Sequence, residues 1–440
     1  MDSISDTINK ALQQGYGFAE KLVEKNQTKF SRKQKELADF FGIRQDQLSD
    51  LSTSKETLIR IYYRNAAFCF EPFVRENGRI VEEMNYDHYN GERISPVRQV
   101  IEIEQDVRSK ILERATVFFV WRGEKYCMEI EPKRWSSEGD YDLSFTSSDQ
   151  SSLDALLEAF KVYRQKHHYL RGKKFNGVSG DILPLNGYSW SDLMWPDGIK
   201  ERLRSEIEVV FKNAALFHSY GLNSKKGFIL AGDPGNGKTL LLKILAKETA
   251  ATVILIPFDE LRFTPYLFSL ARDLSPSILI LEDIDLFGTD RDNAAENVEL
   301  GKLMNQLDGI VENREIVVIA TTNRLEKVEK ALQNRPGRFD RIYVIPNPDL
   351  KMRISLIEHF IRKVPNEITQ EHIEALAEEF PGYSAAYLME LVNSGFAQAI
   401  LRDSQNPVLR FCDLDATVDI LKRKKDKIPV GFSVQAGVDK

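Results

Sequence analysis

The sequence predicts an α/β domain built on a parallel sheet, followed by a C-terminal helical lid and preceded by an N-terminal α+β domain. Three observations predict this. From Trp190 onward, five short apolar runs alternate with helical patterns: Gly227–Ala231, Thr252–Pro257, Ile278–Leu281, Ile316–Thr321 and Ile342–Ile345. Such alternation is the mark of a parallel sheet with helices on both faces. A glycine-rich bend, Gly232 to Thr239, joins the first run to the helical pattern LLLKILAKE. After Asp349 the periodicity is helical to about Lys425.

The elements follow in chain order. Residues 1–65 read as helical, and KQKELADFFGIRQDQLSDL has the spacing of a helix-turn-helix. Its second helix would set Asp46 and Asp50 against a single Arg44, poor chemistry for approaching phosphates. A packed helical hairpin is therefore the preferred reading. Residues 66–168 form a β-rich α+β domain. TVFFVW, the turn Arg122-Gly123-Glu124-Lys125 and the run Tyr126 to Ile130 make a hairpin, and Asp142 to Ser147 adds a strand. Ser151 or Ser152 caps a helix to His168, whose stripe Leu153, Leu156, Leu157, Phe160 and Tyr163 reads as core. His167 and His168 lack acidic or Cys partners at ligand spacing and read as a solvated helix end rather than a metal site. Residues 169–188 are glycine-rich and polar, a linker. The α/β domain spans 189–349, the lid 350–427 and a frayed tail 428–440.

Composition narrows the class. The 440 residues amount to about three domains at roughly 150 residues each. With 42% hydrophobic and 29% charged residues, collagen-like, low-complexity and wholly disordered chains are excluded. Sixty Lys and Arg against 66 Asp and Glu leave a net charge of −6, so indiscriminate binding to DNA or anionic membrane is not expected. The cysteines Cys69, Cys127 and Cys412 are odd in number and widely spaced, which favours reduced core thiols over disulfides or zinc. No apolar run reaches the ~18 residues of a membrane span. The start, MDSISDTINKALQQGYGFAEK, has no basic region followed by an apolar stretch. A soluble, cytoplasmic protein is expected.

The chemistry concentrates at the ends of the apolar runs. Gly232-Asp233-Pro234-Gly235-Asn236-Gly237-Lys238-Thr239 fits G-x-x-x-x-G-K-[ST]. Glycines let successive backbone N–H groups point at an anion, and the following helix adds its positive end. Lys238 suits β- and γ-phosphates and the Thr239 hydroxyl suits Mg²⁺. The run ILIL ends in the carboxylates Glu282, Asp283 and Asp285, which can hold a metal shell and activate water. IVVIATT ends in Asn323, able to bond a γ-phosphate or the lytic water. Arg335, Arg338 and Arg341 cluster further on and can supply transition-state charge.

In this order, the segments SWSDLMWPDGIKERL, GDPGNGKT, ILILEDID, LMNQLDGI, ATTNR, RPGRFDR and PNPD resemble the AAA family of ring-forming ATPases. The resemblance covers about Trp190 to Lys425. It implies ATP and Mg²⁺ at a subunit boundary. Asp192, Gly232 to Lys238, Thr239, Leu240 and Ala385 would bind nucleotide, with Thr239 and Glu282 as magnesium ligands. Glu282 and Asp283 would be the Walker B pair, Asn323 the sensor, and Arg338 and Arg341 arginine fingers reaching a neighbour's ATP, which implies a homo-oligomeric ring, a hexamer. Three departures stand out. Glu282-Asp283 reverses the usual Asp-Glu order, Ala385 replaces a glycine expected against adenine, and no aromatic-apolar-Gly triplet lies between Ile254 and Ile278, where Phe263 and Tyr266 read equally well as core. The reversed pair and missing triplet are similar to the Bcs1-like branch, here as a relative without the membrane anchor.

The expected function is ATP-driven remodelling or chaperoning of protein substrates. Phe118, Phe119, Trp121 and Tyr126 alternate, so about half should face a core and the others could offer a client surface. An unfoldase feeding a separate protease and a DNA-associated ATPase are the alternatives. No H-E-x-x-H is present, which excludes a fused metalloprotease of that type.

Overall fold

Strand pairing divides the chain between an antiparallel and a parallel sheet. The computed structural model describes residues 32–87, 91–133, 139–185, 187–196, 198–221, 226–257, 263–284, 306, 315–326 and 339–427. Two units result, Met1–Leu183 and Pro184–Lys440.

In the first unit, helix α1 (residues 32–41) ends at Gly42, whose φ of 74° turns the chain. A 3-10 turn, Gln45–Asp50, takes the place of a second α-helix, so the helical hairpin and its DNA-reading variant are both corrected. Residues 52–58, read as helical, form strand β1 (Ser52–Leu58). Helix α2 (Arg60–Asn77) runs through the expected boundary at residue 65 and occupies the start of the region read as β-rich. There follow β2 (Gly78–Tyr86), β3 (Arg93–Ile94), β4 (Val97–Glu104), β5 (Val107–Trp121), β6 (Glu124–Pro132), β7 (Tyr141–Ser147), α3 (Gln150–Lys166) and the short β8 (Lys174–Asn176), bridged to Ile182. The antiparallel order is β1-β7-β6-β5-β2-β3, with β4 also on β5. The β5–β6 turn is tighter than its four-residue reading. Trp121 faces Glu124, and Arg122 and Gly123 both take positive φ, as a two-residue hairpin turn matching the strand twist requires.

Both faces of this sheet are covered. Phe70, Phe73 and Phe160 of α2 and α3 pack with Phe119, Trp121 and Phe145 on one side. Leu37, Phe40 and Phe41 of α1 pack over Phe118 and Cys127 on the other. Phe118, Phe119, Trp121 and Tyr126 are consequently all buried, and none offers the client surface that alternation allowed. Helix α3 is capped not by Ser151 or Ser152 but by Asp149, whose carboxylate accepts the Ser152 N–H at 2.7 Å. Cys69 and Cys127 are buried, and burial pushes the Cys69 thiol up to about 12. Cys412 is exposed rather than in a core.

His168 is buried too, which corrects its reading as part of a solvated helix end. Its Nδ1 accepts the Leu170 N–H at 3.2 Å, and burial lowers its pKa from 6.5 to about 3. Above pH 6.5 this group leaves stability untouched. Below it the unfolded chain takes up a proton that the folded chain refuses, so stability falls with pH. The loss at pH 5 should be about 2 kcal/mol. Urea midpoints at pH 7.5 and 5 test this: His168→Gln should show a smaller drop than the wild type, and equal drops would refute it.

In the second unit, a 3-10 turn, Trp190–Asp192, leads to α4 (Ile199–Lys212) and α5 (Ala214–Ser219). The α/β core follows as β9 (Lys226–Ala231), α6 (Lys238–Glu248), β10 (Thr252–Ile256), α7 (Thr264–Asp273), β11 (Ser277–Leu281), β12 (Ile316–Thr322) and β13 (Arg341–Val344). All five expected strands are present, in parallel order β13-β9-β12-β11-β10. Every residue of β11 and β12 is buried, which is why they read as unbroken apolar runs. The lid is α8 (Leu350–Ile361), α9 (Gln370–Glu379), α10 (Ala385–Arg402) and α11 (Phe411–Lys427), around Leu356, Phe380, Leu388, Leu391 and Leu414. Asp349 caps α8 and Thr369 caps α9, each accepting an N–H of the first turn. Among the described residues no helix is long and apolar enough to cross a membrane.

Candidate active site

Parallel register brings three strand ends to one edge. Ala231 lies opposite Thr322, and Ala320 opposite Leu281. The residues just beyond, Gly232, Asn323 and Glu282, therefore leave the sheet side by side, where the order switches direction across β9 and β12.

The bend after β9 depends on its glycines. A Cβ on Gly232 would sit 2.3 Å from the Ile345 carbonyl oxygen, and Gly235 and Gly237 hold φ near 85°. Asp233 and Pro234 form its exposed shoulder, and Gly237 precedes the first turn of α6. Lys238, buried at that turn, donates from Nζ to Gly232 O at 2.6 Å, Asp233 O at 3.0 Å and Asn323 Oδ1 at 2.8 Å. Asn323 Nδ2 in turn donates to Asp283 Oδ1 at 3.1 Å. Beside this chain, the Thr239 hydroxyl donates to Glu282 Oε1 at 3.3 Å. Leu240 packs half-buried against the α/β core.

The acidic pair is held in two different ways. Asp283 takes a φ of 52°, an uncommon conformation that Asp tolerates better than most residues, and its N–H donates to Thr321 Oγ1 at 3.0 Å. Glu282 lies toward Thr239. Burial raises its pKa, the Thr239 hydrogen bond opposes that shift, and the Asp283 charge adds to it.

Further residues fix the loop from outside. Trp195 Nε1 donates to Asn236 O at 2.8 Å. Asn236 Nδ2 donates to Asn347 Oδ1 at 2.8 Å, and Asn347 Nδ2 donates to Asp233 Oδ2 at 2.6 Å. The lid reaches the same loop: Ala385 N–H donates to Asn236 Oδ1 at 3.3 Å and Ala386 N–H to Gly235 O at 3.0 Å. Trp195, Thr321, Asn347 and Ala386 were not singled out from sequence. Trp195 and Asn347 lie inside SWSDLMWPDGIKERL and PNPD, so position within those segments was the available signal.

Two expected participants are otherwise engaged. The Asp192 carboxylate accepts the Ser189 N–H at 2.8 Å and pairs with His359 Nε2 of α8 at 3.4 Å. Arg341 pairs with Glu206 of α4 at 2.7 Å. Arg338, Asp285 and most of LMNQLDGI lie outside the described residues. Phe263 and Tyr266 are half-buried at the start of α7.

The donor set suits a magnesium nucleotide. A hydroxyl and a carboxylate within hydrogen-bond reach are hard oxygen ligands, and the glycine loop ends at a helix N-terminus with a lysine beside it. Residues 228–347 match the family described as ATPase family associated with various cellular activities (AAA). This part of the chain is an AAA domain. Similarity extends over about half the chain. It is 36% identical over 249 residues to the proteasome-activating nucleotidase of Aeropyrum pernix, covering 52% of this chain and 60% of that one. Identity is 30% over 266 residues to the 26S proteasome regulatory subunit 4 homolog B of Arabidopsis thaliana, covering 57% and 58%. It is 32% over 236 residues to the ATPase family gene 2 protein of Saccharomyces cerevisiae, covering 50% and 30%. The chain thus spans less than two thirds of each of these relatives.

Proposed function

We propose that this chain hydrolyses ATP within a homo-oligomeric ring of six and uses the cycle to remodel or chaperone protein substrates. The observation that carries the reading is the linked pair of contacts at one sheet edge, Lys238–Asn323–Asp283 and Thr239–Glu282. Thr239 and Glu282 would hold Mg²⁺, which when bound neutralises charge between the β- and γ-phosphates. Lys238, released from the loop carbonyls, would bind the same phosphates. Asn323, already joined to Lys238 and Asp283, would position the water. Asp283 would take that water's proton as its oxygen attacks the γ-phosphorus, the bond to the β-phosphate oxygen breaks, and ADP departs. Asp192, Leu240 and Ala385 would line the nucleoside side, while Arg338 and Arg341 would act on the neighbouring subunit's ATP.

The reversed Glu282-Asp283 order supports placing the chain near the Bcs1-like branch, as a soluble cytoplasmic relative similar to the bacterial chaperone-like ATPase YjoB. The proteasome-activating relatives favour a second reading, an unfoldase partnered with a separate protease. Suppression of a model client's aggregation, with and without ATP, tests the first reading. ATP-dependent stimulation of client degradation by an added protease would favour the second. The ring is tested by dilution: turnover per chain should collapse as the assembly dissociates, and a fully active monomer would refute it.

Arg341 allows a narrower test. Arg341 is exposed although Glu206 is half-buried, so Arg341→Ala should change stability by only about 1 kcal/mol. ATP binding should persist while turnover drops. Wild-type turnover would leave the Glu206 pair as its whole role.

A further inference from the structure

We infer that edge strand β1 and helix α3 form a cleft for an unfolded polypeptide segment, which joins the antiparallel sheet as an added strand. This rests on the protein-substrate reading above and names the form of substrate: extended and without strand partners of its own.

Strand β1 is last in its sheet and, among the described residues, pairs only with β7. In an antiparallel ladder alternate residues send N–H and C=O to the partner, and the others send theirs outward. Beside β1 lies a cavity of ≈ 490 Å³. Ser54 and Glu56, two residues apart on β1, line it together with Leu157, Lys161 and Arg164, which follow one stripe of α3. Phe145 of β7 adds to an apolar floor, and the Arg164–Glu56 ion pair at 3.5 Å bounds it. Lys55, which alternates with Ser54 and Glu56 onto the other face of β1, is exposed and pairs with Asp142 of β7 at 2.8 Å, so its charge does not line the groove.

An open edge with a groove between it and a helix is the arrangement for strand addition: main-chain hydrogen bonds supply affinity and the groove takes alternate side chains. The occupant is therefore an extended chain, because only extended backbone matches the ladder spacing. It is an unfolded one, because strands of a folded protein are already paired. Binding through backbone tolerates many side-chain sequences, which suits a remodeller of varied clients.

Amide hydrogen exchange on the full chain tests this. The probe is a heptapeptide of alternating valine and threonine, compared with a copy N-methylated at three consecutive residues. The plain peptide should slow exchange in Ser52–Leu58 about tenfold, and the methylated copy should not. Leu157→Glu should weaken peptide binding about tenfold by placing a charge in the groove. No protection of β1, or equal protection by both peptides, overturns the cleft. So does β1 protection that rises with protein concentration without peptide, which would mean that a second copy sits there. ATP turnover measured in the same wild-type sample keeps the two readings apart: turnover without β1 protection overturns the cleft alone, and β1 protection without turnover overturns the ATPase while supporting the cleft.

Discussion

Lys238→Ala should abolish nucleotide binding. The ammonium is the one side-chain cation at the bend that bonds both the loop carbonyls and Asn323 among the described residues. Two charge-assisted hydrogen bonds to phosphate, at about 1.5–3 kcal/mol each, correspond to a loss of at least ~10²-fold in affinity. Titration with a fluorescent ATP analogue gives the number. Lys238→Met keeps the aliphatic stem and separates charge loss from loop collapse: it should bind as poorly as the alanine variant. Unchanged affinity in both would remove the active-site assignment altogether.

The acidic pair gives the second large effect. Asp283→Asn should lower kcat by about 10²–10⁴-fold, the range for a lost general base, while ATP stays bound. Glu282→Gln should act differently, weakening the magnesium dependence of binding through loss of the Thr239-linked carboxylate. The distinction comes from geometry. Asp283 is bonded to Asn323 and its left-handed backbone is tied to Thr321, whereas Glu282 faces the Thr239 hydroxyl. If Glu282→Gln traps ATP and Asp283→Asn weakens binding, the two roles are reversed.

The α/β half was legible because its physics is local. Strands buried on both faces must be apolar throughout, so ILIL and IVVIATT could hardly read as anything else. The glycine bend was equally plain, since a Cβ at Gly232 would strike backbone. The N-terminal unit was less so. Strand β1 reads STSKETL, because its side chains are mostly exposed and its place is set by pairing with β7, a partner more than 80 residues away. Helix α2 carries Pro72 in its interior, which obscured its length. His168 looked polar, and only the tertiary packing around it makes it neutral and buried. At the site, Lys238, Thr239, Glu282, Asp283 and Asn323 came together as their spacing suggested. Trp195 and Asn347 could not be assigned, because their hydrogen bonds span 41 and 111 residues of sequence.

The grip of Ala385 and Ala386 on the glycine bend would make helix α10 a lever. Its fulcrum is the bend itself, and its arm is 18 residues, about 27 Å at 1.5 Å per residue. A tilt of about 10° at the fulcrum would sweep the far end through about 5 Å. That end is Arg402, which is tied to Asp413 of α11 and to the Val408 carbonyl, so the swing would drag the last helix with it. A small displacement at the bend would thus become a larger stroke at the far end of the helix.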